Sequence, residues 1–201
     1  MRIAILTPTF SAFSGIDRLV ELQAEKLVKE GHVVDIFALE ASLPYKHGNL
    51  ITLGMPASGV FQRIYRLFMF LDKRKLWKFA KQIAAYDKVI SHLYPMTIYA
   101  SKAKKINPSL EYVYHNEGVG IVDTYSFFER LYLKLFNAFN NKYVKRCDKA
   151  VSISKFLQKV LEDETGISSS VEYVPIDTAR FHLGIFGGGV RKKYGIGKEK
   201  V

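Results

Sequence analysis

The chain has 201 residues, a formal net charge of +11, 48% hydrophobic residues and one cysteine. That length supports one generous domain or two cramped ones, and the apolar content supports a packed core, which excludes a disordered tail. The lone Cys147 excludes an internal disulfide and fits a reducing compartment; no apolar run reads as a signal peptide or a bilayer span.

Residues 3–6, Ile-Ala-Ile-Leu, predict a first strand. A helix follows near 15–30, with Leu19, Val20, Leu22, Leu27 and Val28 on its buried face. Gly31 stops it, residues 33–39 read as the next strand, and 50–53 as a weaker third. A long helical block runs from about 59 to 85, with a break near Asp72. Residues 88–93 predict a strand, 96–104 a helix and 112–115 a strand, and a long aromatic helix covers roughly 124–146. Residues 151–154 read as a short strand entering a helix over 155–164, which Gly166 ends; 171–174 is a last strand, closed by Pro175. Such alternation predicts the α/β class: a Rossmann-like, doubly wound, mainly parallel sheet with helices on both faces. Residues 1–182 are expected to form this domain, with 183–201 a linker and the start of a second one.

In such sheets ligands sit outside the carboxyl ends of the strands, which selects the loops at 7–15, 91–96, 115–120 and 152–155. The first loop lacks Gly-x-Gly-x-x-Gly, which disfavours a nicotinamide or flavin enzyme. Its Ser14-Gly15 still offers bare backbone N–H groups at a helix N-terminus, suited to an anion or simply to an ordinary N-cap. Asp17 and Arg18 fall in the first helical turn: Asp17 either touches an acceptor or complements the helix dipole, and Arg18 either meets an anion or is solvated. His115, Asn116 and Glu117 end a strand at the ligand edge, and His92 and Tyr94 follow the preceding strand, where they could line the same cleft.

The positive charge is local. Residues 58–110 hold 11 basic and 2 acidic side chains, and the rest of the chain is close to neutral. Within this block Phe61, Ile64, Phe68, Leu71, Phe79 and Ile83 keep helical spacing, while Arg63, Arg66, Lys73, Arg74, Lys78 and Lys81 largely take another side. Basic residues beside aromatics suit an anionic membrane surface. The plainer alternative is a sheet-packed helix whose outer face is basic. Nucleic acid would also fit the composition, but no nucleic-acid fold signature accompanies it.

Five segments, in order, carry a family resemblance. Ser14-Gly15-Ile16-Asp17-Arg18 resembles the Gly-Gly-x-Glu-Arg turn of family-4-type glycosyltransferases of the GT-B architecture, with Ser14 in place of the first glycine. Leu27 to Val34 is similar to that family's passage from helix to strand through Gly-His, and Tyr86 to His92 to its fourth strand. Cys147 to Phe156 resembles its Ala-Asp-to-Ser-x-Phe element, and Val174 to Phe181 its Pro-x-x-Asp-x-x-x-Phe interdomain signature.

The resemblance implies the N-terminal, acceptor-side domain of a retaining glycosyltransferase. Such an enzyme moves a sugar from a UDP- or GDP-linked nucleotide-sugar to a glycan or lipid-linked acceptor, without a metal or other cofactor. It implies that His115 points into the cleft and meets the transferred sugar, that Ser14 and Gly15 lie at the donor phosphate or sugar, and that Asp17, Arg18, His92, Tyr94, Asn116 and Glu117 are candidates for the acceptor. Asp177 is expected to fix the domain crossover. The chain alone is expected to bind rather than turn over, in the cytoplasm or peripherally on the inner face of a membrane. The alternative is a non-catalytic Rossmann-like module that docks to a membrane or to a separate catalytic subunit.

Overall fold

The computed structural model describes residues 1–12, 14–56, 59–118, 125–175 and 188–195. The expected crossover residue Asp177 and the boundary at 182 lie outside the described residues. Seven strands form one wholly parallel sheet: β1 (Arg2–Phe10), β2 (Val33–Ala41), β3 (Leu50–Thr52), β4 (Lys88–Ser91), β5 (Glu111–Asn116), β6 (Lys149–Ser152) and β7 (Ser170–Val171). Their order is β3-β2-β1-β4-β5-β6-β7, so the topology reverses between β1 and β4. That reversal opens a crevice at the carboxyl edge, where such folds bind ligands. The helices are α1 (Gly15–Lys29), α2 (Gly59–Phe68), α3 (Lys73–Ile83), α4 (Met96–Ile106), α5 (Phe127–Val144), α6 (Lys155–Thr165) and the short α7 (Gly188–Tyr194).

Near-continuous apolar runs mark the central strands because both faces are covered. On the face beneath α1, Ile3, Ile5, Val34, Ile36, Ile90 and Val113 pack with Val20 and Ala24. On the other face, Leu6, Phe37, Val89, Tyr112 and Tyr114 meet the helices α3, α4 and α5. Two helix ends follow the expected chemistry. Ser154 caps α6 by accepting from the Leu157 N–H at 3.2 Å, and Gly166 closes it in the left-handed region at φ 74°.

The structure refines three expectations. β6 begins at Lys149, so Ile153 and Ser154 belong to the turn into α6. The last strand shortens to Ser170–Val171, and residues 172–175 leave the sheet. The block at 59–85 is two helices joined by a 3₁₀ turn at Met69–Leu71, and Asp72 caps α3 by accepting from the Lys75 N–H at 3.1 Å. The two halves of its apolar stripe part company there: Phe79 and Ile83 are buried, whereas Phe61, Ile64, Phe68 and Leu71 are exposed.

Candidate functional site

The end of β5 builds the site. Val113 packs beneath α1, and strand alternation turns His115 to the same face. There the ring of His115 meets Gln23, one side chain along α1, with the two Nε2 atoms 3.2 Å apart. Gln23 also faces His92, just past β4, with its Oε1 3.2 Å from His92 Nε2. His92 Nδ1 and Glu117 Oε1 share a further hydrogen bond. The imidazoles of His92 and His115 stand 5.2 Å apart between centroids.

The proton positions follow from the orientation of the Gln23 amide, whose oxygen is turned toward His92. With its oxygen accepting from His92 Nε2–H, the Gln23 amide donates to His115 Nε2, so the proton of neutral His115 sits on Nδ1. Burial, and then the neighbouring His92, hold the His115 pKa down at about 3, so this imidazole is neutral at physiological pH. Two atoms of the cluster, His115 Nδ1 and Glu117 Oε2, are buried without a hydrogen-bond partner. An orphan donor and an orphan acceptor of this kind are what a ligand hydroxyl can satisfy.

His115 and Gln23 also border two openings on the α1 face of the sheet. One, of about 250 Å³, is walled by Leu19, Leu22, Tyr173 and Pro175. The other, of about 660 Å³, runs along β4, β5 and β6 beneath α1. The cluster thus sits where a mainly apolar opening meets a larger one lined by charged side chains such as Lys26, Lys88, Glu111 and Asp148. His92, His115 and Glu117 each offer a metal-ligand atom within 4.8 Å of the others, so they could hold an ion. In the structure both His92 nitrogens, His115 Nε2 and Glu117 Oε1 are engaged within the cluster or with Gln23, whereas His115 Nδ1 and Glu117 Oε2 are not.

The remaining candidates divide. Asp17 is 1% exposed, and its carboxylate accepts from the hydroxyl of Thr9 at 2.9 Å and from the N–H and hydroxyl of Ser11 at 2.8 and 2.6 Å. It therefore shapes the loop between β1 and α1 from within. Arg18 lies on the outer side of α1, paired with Glu21. Ser14 takes the N-cap position of α1 without a side-chain cap bond, and a Cβ on Gly15 would meet nothing within 4 Å. Both stand at the same carboxyl edge as His115, though roughly 12 Å along α1 from Gln23 at 1.5 Å per residue.

Two expectations are corrected. Tyr94 does not line the cleft: it is 1% exposed, its hydroxyl donates to the Leu67 carbonyl at 2.6 Å, and its ring stacks in the aromatic core on the opposite face. Asn116 does not face it either, because strand alternation turns it away from His115; its amide donates to Ser152 Oγ at 3.2 Å and to the Leu157 carbonyl at 3.0 Å, joining β5 to β6 and α6.

Of the six predicted patch residues, Arg66 lies against Met55 Sδ, Lys78 against the Phe79 ring, and Lys73 borders a basic groove described below. Arg63, Arg74 and Lys81 are exposed on α2 and α3. No helix among the described residues is long and apolar enough to cross a membrane.

Comparison with known proteins bears on the family and the fold. The sequence profile of Glycosyltransferase Family 4 matches residues 13–180. Among curated proteins none matches the chain. Among solved structures, HepE from Anabaena, determined with UDP and glucose, superposes with a TM-score of 0.66 at 15% identity over 96% of this chain and 50% of its own. WaaG, a glycosyltransferase involved in lipopolysaccharide biosynthesis, gives 0.61 at 14% identity, covering 98% of this chain and 52% of its own. Sucrose-phosphate synthase from Thermosynechococcus elongatus gives 0.59 at 14%, covering 98% and 53%. The chain thus spans about half the length of each of these three structures, and these likenesses establish the fold.

Proposed function

We propose a function from one premise: this chain belongs to glycosyltransferase family 4. It serves as the acceptor-side half of a retaining transferase that moves a sugar from a UDP- or GDP-linked donor to a glycan or lipid-linked acceptor. HepE, of similar fold, was determined with UDP and glucose, which supports a nucleotide-sugar donor. A second domain would hold most of the nucleotide.

The observation that carries this reading is His115: neutral, buried at the carboxyl edge, bordering both openings, with Nδ1 unpartnered. A neutral imidazole with Nδ1–H can donate to a sugar hydroxyl without placing a full cation beside an oxocarbenium-like centre. Glu117 Oε2 is the matching acceptor. Gln23 and His92 position the ring, and Asp17 positions the loop that brings Ser14 and Gly15 to the rim. The first-turn N–H groups of α1 then meet the donor phosphate, with helix dipole and cations stabilising the departing diphosphate without a metal. Arg18 lies at the solvent side of that anion. The exposed cations of α2 and α3 face an anionic membrane surface, which keeps the protein peripheral to a cytoplasmic leaflet.

The test is transfer by the enzyme that joins this domain to its nucleotide-binding partner, using UDP- and GDP-hexoses and a lipid-linked acceptor, with the product's anomeric configuration read by NMR. Retention of the donor configuration is expected. Inversion, or nucleotide-sugar that is never consumed, contradicts the proposal.

A further inference from the structure

Two features of the helical face opposite α1 are unused by the site. The first is apolar. On α2 and the 3₁₀ turn, Phe61, Ile64, Phe68 and Leu71 are 41–66% exposed. Beside them on α5, Phe127, Phe128, Leu131 and Leu135 are 37–80% exposed. Each set follows the i, i+3, i+4 spacing of a helix face that ordinarily packs against something. α5 already packs its inner stripe on the core, since the partly buried Phe136 and Phe139 lie against Tyr94 and Phe139 meets Phe70 at 5.1 Å. The outer stripe is therefore additional, and exposed apolar side chains gathered on two neighbouring helices point to an interaction site.

The second feature is a groove of about 450 Å³ between α3, α4 and α5. Lys73, Lys102, Lys105, Lys142 and Arg146 surround it, over a floor that includes Trp77 and Tyr143. Lys102 Nζ lies 4.6 Å from the Trp77 ring centroid. Among the described residues none of the five cations pairs with a carboxylate, and no acidic residue lines the groove. Elsewhere the protein does neutralise such charge: Lys88 and Lys149 share Glu111, and Lys104 pairs with Asp148. Last-turn position on α4 and α5 accounts for single lysines through the helix dipole, but not for five cations converging without an anion. Phe70 joins the features, lining the groove while packing against Phe68 of the apolar stripe at 6.1 Å.

We infer that this composite face docks on an anionic phospholipid bilayer, with the stripes of α2 and α5 inserting among the lipids and the α3–α4–α5 groove taking a headgroup phosphate. The inference deepens the membrane part of the proposed function and is independent of its sugar chemistry. Charge complementarity selects the partner, because a soluble apolar protein would not require the unpaired cations, and free nucleic acid would not require the exposed stripes. Of the groove cations only Lys73 belongs to the helix pair whose basicity the sequence advertised.

Vesicle co-sedimentation tests this. The probes are vesicles of phosphatidylcholine alone and of two parts phosphatidylcholine to one part phosphatidylglycerol, at low and high salt. The protein is expected to pellet with the anionic vesicles only, more weakly as salt rises. Lys102→Gln with Lys142→Gln should weaken partitioning about thirtyfold. Phe61→Ser with Phe128→Ser should abolish the fraction that persists at high salt. Because Trp77 is the single tryptophan, Trp77→Phe with Phe128→Trp gives one reporter, whose emission should shift blue and be quenched by brominated acyl chains. Absence of binding, binding indifferent to the groove pair, or an unquenched reporter overturns the inference. So does a stripe variant that changes only the solution mass, which would assign the stripe to a second copy of the chain. Circular dichroism checks folding of each variant. Transfer to a water-soluble acceptor by the two-domain enzyme should be unaltered by these substitutions; its failure in the wild type contradicts the sugar reading alone.

Discussion

Gln23 and His115 lie 92 positions apart in sequence and meet at 3.2 Å between α1 and the end of β5. The same amide reaches His92 at 3.2 Å, so one neutral side chain on a helix sets the orientation of two imidazoles from adjacent strands. This makes Gln23 a positioning residue for the reading proposed above, acting through His115 rather than on the sugar.

The amide orientation predicts a tautomer. Nitrogen-15 spectra of the imidazoles at neutral pH should show His115 with its proton on Nδ1 and a bare Nε2. In Gln23→Leu the preference should relax toward a mixture, and transfer by the two-domain enzyme should fall on the order of tenfold to a hundredfold, with kcat affected more than KM. A variant with unchanged tautomer and unchanged rate would remove Gln23 from this role.

Folding stability should depend on pH through His115. Its pKa is about 3 in the folded protein and about 6.5 when free, so between these values the unfolded chain binds the extra proton. The contribution is present in full above about pH 6.5 and is lost as pH falls toward 3. Urea unfolding between pH 7 and pH 4.5 should show a steeper decline for the wild type than for His115→Gln. Parallel declines would contradict the burial of a neutral imidazole.

Tyr94 and Asp17 should separate stability from chemistry. Tyr94→Phe removes the hydroxyl that donates to the Leu67 carbonyl, and should cost about 1 kcal/mol of stability with no change in transfer. Asp17→Ala removes the buried carboxylate that accepts from Thr9 and Ser11, and should cost about 1–3 kcal/mol and loosen the loop that carries Ser14 and Gly15. Thermal unfolding and transfer rates on the same preparations distinguish the two.

Gly166 offers a backbone control. It ends α6 at φ 74° with open space around it, so Gly166→Ala should destabilise by about 1 kcal/mol through conformation rather than by a clash. Unfolding midpoints measure it, and the site chemistry should not respond.

The sheet was legible because each central strand is a short apolar run between helical patterns, punctuated at Gly31, Asp72 and Gly166. His92, His115 and Glu117 were legible because the carboxyl-edge rule points at the loops after β4 and β5. Gln23 was not: a glutamine on a partly buried helix face carries no local signal of a partner 92 residues away. Tyr94 and Asn116 share those loops with the site residues, yet one side chain enters the opposite core and the other ties β5 to β6 and α6; the correct face depends on strand phase and loop path. The stripe of α2 shows a further limit, since helical periodicity reveals an apolar face but not whether anything covers it.

The account turns on His115 touching the transferred sugar. Its most direct test is kcat/KM for sugar transfer by the two-domain enzyme carrying His115→Ala, alongside a melting curve. A fall of about a hundredfold or more with the protein still folded is the predicted result. Wild-type turnover in the folded variant would contradict it.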